Sequence, residues 1–246
     1  MTSFKIIPVI DVLKSKAVHA VGGERSKYTP IKSPLFKNPD PFQMIMKLVR
    51  TFNFSTFYIA DLDSIQFEKP NHSLYSKILE HHIDVTILLD PGIKNEVDFT
   101  KFPNTPHLKL ILGLETIESL DIIKKAIKYF GKNRILISLD MYKGHILSKS
   151  ESLKKLSPLD FIKESDKWDI NELILLDLFR VGQKIGGIPP LYDEINKNFN
   201  GRVLVGGGIK NVQDLLMYKR NNFTGVLIAT ALYDGSITKK DIESLR

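Results

Sequence analysis

The 246-residue sequence contains no cysteine. That absence excludes a disulfide framework, a thiol nucleophile, a redox dithiol and any thiolate zinc site. Long apolar runs are also missing: stretches such as Ile6–Ile10 and Thr86–Leu89 fall far short of the ~18 residues a membrane span needs. The opening Met1-Thr2-Ser3-Phe4-Lys5 has no signal-peptide layout, so the cytoplasm is the expected compartment and no membrane partner is expected. Basic residues outnumber acidic ones, 35 to 28, for a formal charge of +7, yet no block of about five like charges occurs. The lysines are spread along the chain without aromatic-basic stripes, which describes a solvated surface that attracts anionic metabolites; nucleic acid is not an expected partner. The six histidines, His19, His72, His81, His82, His107 and His145, show neither H-x-x-x-H nor H-E-x-x-H spacing. No metal site is therefore expected. His81-His82 reads as a helix end and Trp168 as a packing residue.

What is present is a series of short, β-branched apolar runs. Eight can be counted: Lys5–Asp11, Thr56–Asp61, Asp84–Leu89, Leu108–Leu112, Arg134–Asp140, Glu172–Asp177, Arg202–Val205 and Gly225–Ala229. Helix signals lie between them. Pro41–Val49 opens with Pro near its first turn, Ser157-Pro158 pairs a cap with Pro, and Asn211–Arg220 and Lys239–Leu245 space their apolar residues three and four apart. Eight βα units in a chain of about 250 residues predict a (β/α)8 TIM barrel, with a parallel sheet buried on both faces. No linker or low-complexity tract divides the chain, so residues 1–246 are expected to form one domain. Gly22–Asn38 and Tyr142–Ser157 are long enough to be flexible loops.

An internal repeat is the strongest organisational signal. Ile93-Lys94-Asn95 recurs as Ile209-Lys210-Asn211, 116 residues later, and the same offset sets Gly113 against Ala229. Asp11 and Asp140, each closing an apolar strand, lie 129 apart. Two related half-barrels, about residues 1–131 and 132–246, are the expected organisation.

An acidic residue at the C-terminal end of a barrel strand points into the mouth where active sites of this fold are built. Asp11 and Asp140 are thus candidates to flank one substrate, one as general base and one as general acid. Gly206-Gly207-Gly208 follows the seventh strand and precedes a helix, so backbone N–H groups can approach a phosphate closely. Ala229 and Thr230, after the eighth strand, offer an N–H and a hydroxyl beside it. Gly182, in the Gly-rich stretch Arg180–Gly187, can add an N–H, and Arg180 or Lys184 a charge. The expected phosphate-binding set is Gly182, Gly207, Gly208, Ala229 and Thr230.

These motifs, with Ile59-Ala60-Asp61-Leu62-Asp63 and Lys69-Pro70-Asn71, resemble the HisA/HisF family over nearly the whole chain. The resemblance implies half-barrel duplication and a phosphoribosyl substrate with a phosphate at each end. It further implies Asp11 as base and Asp140 as acid in an Amadori aldose–ketose isomerisation that uses neither metal nor organic cofactor. Ser138-Leu139-Asp140 is closer to the HisA isomerase than to the HisF cyclase. The expected partner is a small phosphorylated sugar, and the expected state a monomer or homodimer.

Three departures from the family pattern occur, the first two of them on the side of the barrel away from the Gly206–Gly208 triplet. Asp90-Pro91-Gly92 stands in place of a glycine triplet, Gly113-Leu114-Glu115 in place of Gly-Thr, and Arg180-Val181-Gly182 in place of Arg-Asp-Gly. Pro91 removes an N–H donor and Asp90 and Glu115 add charge where a phosphate would sit. Asp90, Gly92, Gly113, Glu115, Arg180 and Arg25 are the further substrate-binding candidates, Arg25 from the loop after the first strand. Two other readings follow from these departures. One is a HisA/HisF-related paralogue acting on a single-phosphate substrate, with Asp90 or Glu115 meeting a hydroxyl, amine or cation. The other is a non-catalytic barrel that binds a phosphorylated ligand.

Overall fold

The computed structural model describes residues 4–81, 84–168 and 170–245. His82 and Met1–Ser3, on which the helix-end and leader expectations bear, lie outside the described residues. The chain forms strands β1 (Lys5–Leu13), β2 (Lys16–His19), β3 (Thr29–Pro30), β4 (Thr56–Asp61), β5 (Thr86–Asp90), β6 (Leu108–Gly113), β7 (Ile135–Tyr142), β8 (His145–Ile146), β9 (Glu172–Asp177), β10 (Arg202–Gly206) and β11 (Gly225–Ile228). The eight apolar runs are β1, β4, β5, β6, β7, β9, β10 and β11. They pair in parallel in that order, and β11 returns to β1 through Lys5↔Gly225 and Ile7↔Leu227, closing the barrel. Helices cover its outside, so the chain is a (β/α)8 TIM barrel. No described helix is long and apolar enough to cross a membrane.

Because both sheet faces are buried, the strands read as continuous apolar runs, but the alternation of a pleated strand persists within them. One parity packs outward on the helices: Ile10, Ile59, Leu89, Leu112, Ile137, Leu175, Val205 and Val226 belong to the large core. The other parity, Ile7, Tyr58, Leu88, Ile111, Leu136, Ile174, Leu204 and Leu227, forms a separate cluster inside the barrel. Helix starts follow local chemistry. Asp40 accepts the Gln43 N–H at 2.7 Å ahead of the helix Pro41–Phe52, and Ser157 accepts the Asp160 N–H at 3.1 Å ahead of Pro158–Ser165. Trp168 is buried, tilted against Phe161 at 5.7 Å.

The two long connections expected to be flexible instead contain regular structure. Residues 22–38 carry a short helical turn, Arg25–Lys27, and β3, which pairs with β2. Residues 142–157 carry β8, hairpin-paired with β7, and the helix Glu151–Lys154. Carboxylates from elsewhere in the chain satisfy the backbone donors of the β1–β2 and β7–β8 turns. Asp63 accepts the N–H groups of Lys14 and Ser15 at 2.7 and 2.9 Å, and Asp177 those of Lys143 and Gly144, both at 3.0 Å. Local geometry also recurs at the 116-residue offset. Asn95 and Asn211 cap in the same extended conformation, and Asp98 and Asp214 each accept the N–H four residues earlier, at 2.8 and 2.7 Å.

At the N-terminal end of the barrel, Glu172 receives Lys5 Nζ at 3.3 Å, Lys109 Nζ at 3.0 Å and Arg202 Nε at 3.0 Å. Burial alone would raise its carboxyl pKa, but the Lys109 hydrogen bond and the three cations outweigh it and hold the group at about 2. Its ordinary value is 4.5, so the stability this carboxylate adds is complete above about pH 4.5 and is lost as pH falls toward 2. The expected loss is about 2 kcal/mol, allowing for solvent screening at the half-exposed Lys5 and Arg202. Denaturant melts from pH 6 to 2 of the wild type and Glu172→Gln check it. The variant should lose the corresponding part of the slope, and parallel curves would remove the assignment.

Candidate active site

Strand parity decides which strand-terminal acids enter the mouth. Asp11 continues the inward series Ile7, Val9; Asp90 follows Leu88; Asp140 follows Leu136 and Ser138; and Gly206 follows Leu204. Asp61 and Asp177 sit on the outward parity, where they hold loops. The inward residues line one cavity at the C-terminal mouth, which reaches from Asp90, Glu115 and Asp140 on one side to Gly207, Gly208 and Thr230 on the other.

Four carboxylates meet at the acidic side, Asp11, Asp90, Asp140 and Glu115. Asp140 Oδ1 accepts the Ser138 hydroxyl at 2.6 Å, and Oδ2 accepts the Glu115 N–H at 3.2 Å. Burial and the neighbouring Asp90 charge hold its pKa well above the ordinary carboxylate range. Asp90 Oδ2 accepts the Tyr58 hydroxyl at 3.1 Å and Oδ1 the Gly92 N–H at 3.1 Å. Burial raises it to about 6 against those two hydrogen bonds. Burial, then the Asp90 charge, pushes Asp11 up to about 7. Gly113 leaves room for this cluster, since a Cβ there would lie 2.7 Å from Asp140 Oδ2. Arg25, from the turn between β2 and β3, crosses the mouth to Glu115 and holds both carboxylate oxygens with Nη2 at 2.7 and 2.9 Å.

The opposite side is built of backbone. Gly207 and Gly208 have φ of 84° and 85°, values that L side chains rarely adopt, and lead into the helix Val212–Arg220. The N–H groups of Gly182, Gly207, Gly208 and Thr230 donate to no acceptor among the described residues, an arrangement suited to an anion. Gly182 is confined: a Cβ would meet the Ala20 carbonyl oxygen at 2.4 Å. His19 Nε2 lies 3.0 Å from Thr230 Oγ1.

Most of the candidate residues meet around this cavity: Asp11, Asp140, Asp90, Glu115 and Arg25 on the acidic side, and Gly182, Gly207, Gly208, Ala229 and Thr230 on the other. Gly92 and Gly113 stand behind the acidic wall. Arg180 is directed differently: its Nη2 donates to the carbonyls of Gly186 and Gly187 at 2.6 and 3.1 Å, behind Gly208, so it braces the glycine loop from outside the cavity. Lys184 lines the cavity with its ammonium on Asp234 and Ser236, at 2.7 and 2.6 Å. Tyr58 also lines the cavity and is not among the residues read from the sequence. For Tyr58 the signal was available, because it shares inward parity with Ile7 and carries a hydroxyl. Among the described residues no group of three His, Asp or Glu side chains is arranged to hold a metal.

A family model described as "Histidine biosynthesis protein" matches residues 5–238. An uncharacterized protein of Methanocaldococcus jannaschii is 30% identical over 240 residues, covering 97% of each chain. The 1-(5-phosphoribosyl)-5-((5-phosphoribosylamino)methylideneamino) imidazole-4-carboxamide isomerase of Lactococcus lactis subsp. lactis is 27% identical over 236 residues, covering 95% of each chain. The isomerase of the same name from Bacillus cereus is 25% identical over 240 residues, covering 97% of each.

Proposed function

Because the chain belongs to the histidine biosynthesis protein family, we propose that it is an aldose–ketose isomerase of the HisA type acting on a phosphorylated sugar bearing an amino substituent. The observation that carries this reading is the pair Asp11 and Asp140, on separate strands, both turned into one cavity with the glycine loop. Asp140, protonated by virtue of its burial, gives its proton to the ring oxygen as the C1–O bond breaks and the nitrogen lone pair forms the iminium. Asp11, ionised, then removes the C2 proton. The resulting enolamine ketonises to the aminoketose as C1 takes that proton back from Asp11 and the 2-hydroxyl proton is lost to the ionised Asp140, which restores both acids. No atom is gained or lost, so no co-reactant is required. The N–H groups of Gly182, Gly207, Gly208 and Thr230 hold a phosphate. The matching caps at Asn95 and Asn211 support half-barrels of about 1–131 and 132–246 within one domain. The test is turnover by the purified protein on aminoaldoses of the relatives' type carrying either one phosphate or two, followed by absorbance; no turnover of either removes the reading. Turnover lost in both Asp11→Asn and Asp140→Asn supports the reading, and turnover surviving in both removes it.

The paired carboxylates set the pH profile. With Asp11 as base at about 7, kcat/KM rises with pH up to about 7, and it falls at higher pH as the raised Asp140 loses its proton. The cluster titrates as a unit. Asp90→Asn removes the charge that raises Asp11, so the acid limb should move to lower pH. A limb that stays in place in that variant would show that Asp11 and Asp90 are not coupled.

A further inference from the structure

The two ends of the cavity are chemically unlike, although they occupy corresponding places in the sequence repeat. At the 116-residue offset Asp90-Pro91-Gly92 corresponds to Gly206-Gly207-Gly208, Leu114 to Thr230 and Glu115 to Ala231. On the glycine side four N–H groups are unoccupied. On the acidic side Pro91 has no N–H, and the Gly92 N–H is already bonded to the Asp90 carboxylate. Asp90 therefore sits where an anion would, an internal anion covalently fixed in the chain. Leu114 replaces the hydroxyl residue of the other half, and Glu115 adds a second carboxylate. Arg25 is the neighbouring cation, and both of Glu115's oxygens hold it. A phosphate here would face the carboxylates of Asp90 and Glu115 in a partly buried setting where like charges repel strongly.

The same geometry shows what the acidic end can accept. Each Asp90 oxygen takes one hydrogen bond, from Gly92 N–H or Tyr58 O–H, and a carboxylate oxygen can take two. One acceptor position remains on each. From this we infer that the substrate carries a single phosphate, seated at the glycine loop, and that its other end is phosphate-free and presents O–H or N–H donors to Asp90 beneath the Arg25–Glu115 pair. The inference rests on the phosphate placement proposed above.

Crystals of the protein soaked in inorganic phosphate count the sites directly. One ion per chain, at Gly207, Gly208 and Thr230, is expected; an ion at Asp90–Gly92, or none at the glycine loop, overturns the inference. Calorimetry supplies the second arm. Ribulose monophosphate should bind at least tenfold more tightly than ribulose bisphosphate, and the double change Asp90→Gly, Pro91→Gly should narrow that ratio by about tenfold. Equal binding of the two sugars, or preference for the bisphosphate, overturns it. Both arms measure binding. If the isomerase reading alone fails, turnover is absent while the phosphate count remains one; if the inference fails, the count or the ratio changes whatever the turnover.

Discussion

Replacing Asp11 by Asn is expected to lower kcat by about 1,000-fold, within the range that a positioned general base contributes, with little change in the binding of a sugar phosphate. Asn keeps the shape of Asp and removes only the ability to take a proton. Its effect should therefore fall on a step that exists in the transition state and not in the ground state. Binding should hold or tighten, because a carboxylate beside an anionic ligand is a repulsive neighbour. Stability should hold as well, since the substitution removes a group whose charge is disfavoured by burial. Steady-state kinetics, calorimetric binding and a thermal melt on one preparation separate the three quantities. Asp140→Asn should resemble Asp11→Asn, and the double variant should lose little more than either alone, as residues acting as a unit do. A variant of Asp11 within tenfold of the wild-type kcat would assign the proton transfer to another group.

The largest stability effect is expected at a residue far from the chemistry. Gly225 opens β11 and pairs with Lys5 across the closing seam. A Cβ on it would lie 2.3 Å from the Lys5 carbonyl oxygen and 3.0 Å from its carbonyl carbon. Both atoms are backbone, so no side chain can swing aside, and Gly225→Ala must part the two strands that complete the barrel. Overpacking of this kind costs about 3 kcal/mol, which for a chain of this size lowers Tm by about 10 °C. Thermal and urea unfolding of the variant measure it. A change of under about 2 °C would mean that the seam yields without strain.

The fold was legible in the sequence because a barrel strand, buried on both faces, writes itself as an uninterrupted apolar run. All eight runs became strands, with ends shifted by a residue or two. Asp11 and Asp140 could be read because each closes such a run. Asp61 and Asp177 close runs too, and only the alternation within the strands shows that they face outward. The hairpin strands β2, β3 and β8 are very short, and the turns leading into β2 and β8 are held by Asp63 and Asp177 from other parts of the chain, so no local pattern announces them. The Arg25–Glu115 pair joins two loops 90 residues apart, a contact that depends on the closed ring. Arg180 shows the converse limit: the sequence places a cation beside the glycines but not the two carbonyls that take its guanidinium.

The join between β1 and β11 also sets when the protein can first work. Asp11 stands on the first strand of the barrel and Thr230 lies just after the last, so the acids and the glycine-loop end share one cavity only once the ring is shut. During synthesis from the N-terminus, a chain that has emerged through β10 has both acids, yet β1 still lacks its neighbour on one side. Contacts this far apart in the chain are slow to form, and the open edges of such an unfinished sheet are exposed to wrong pairing. Activity should thus arrive in one late step, with no partly active shorter chain before it.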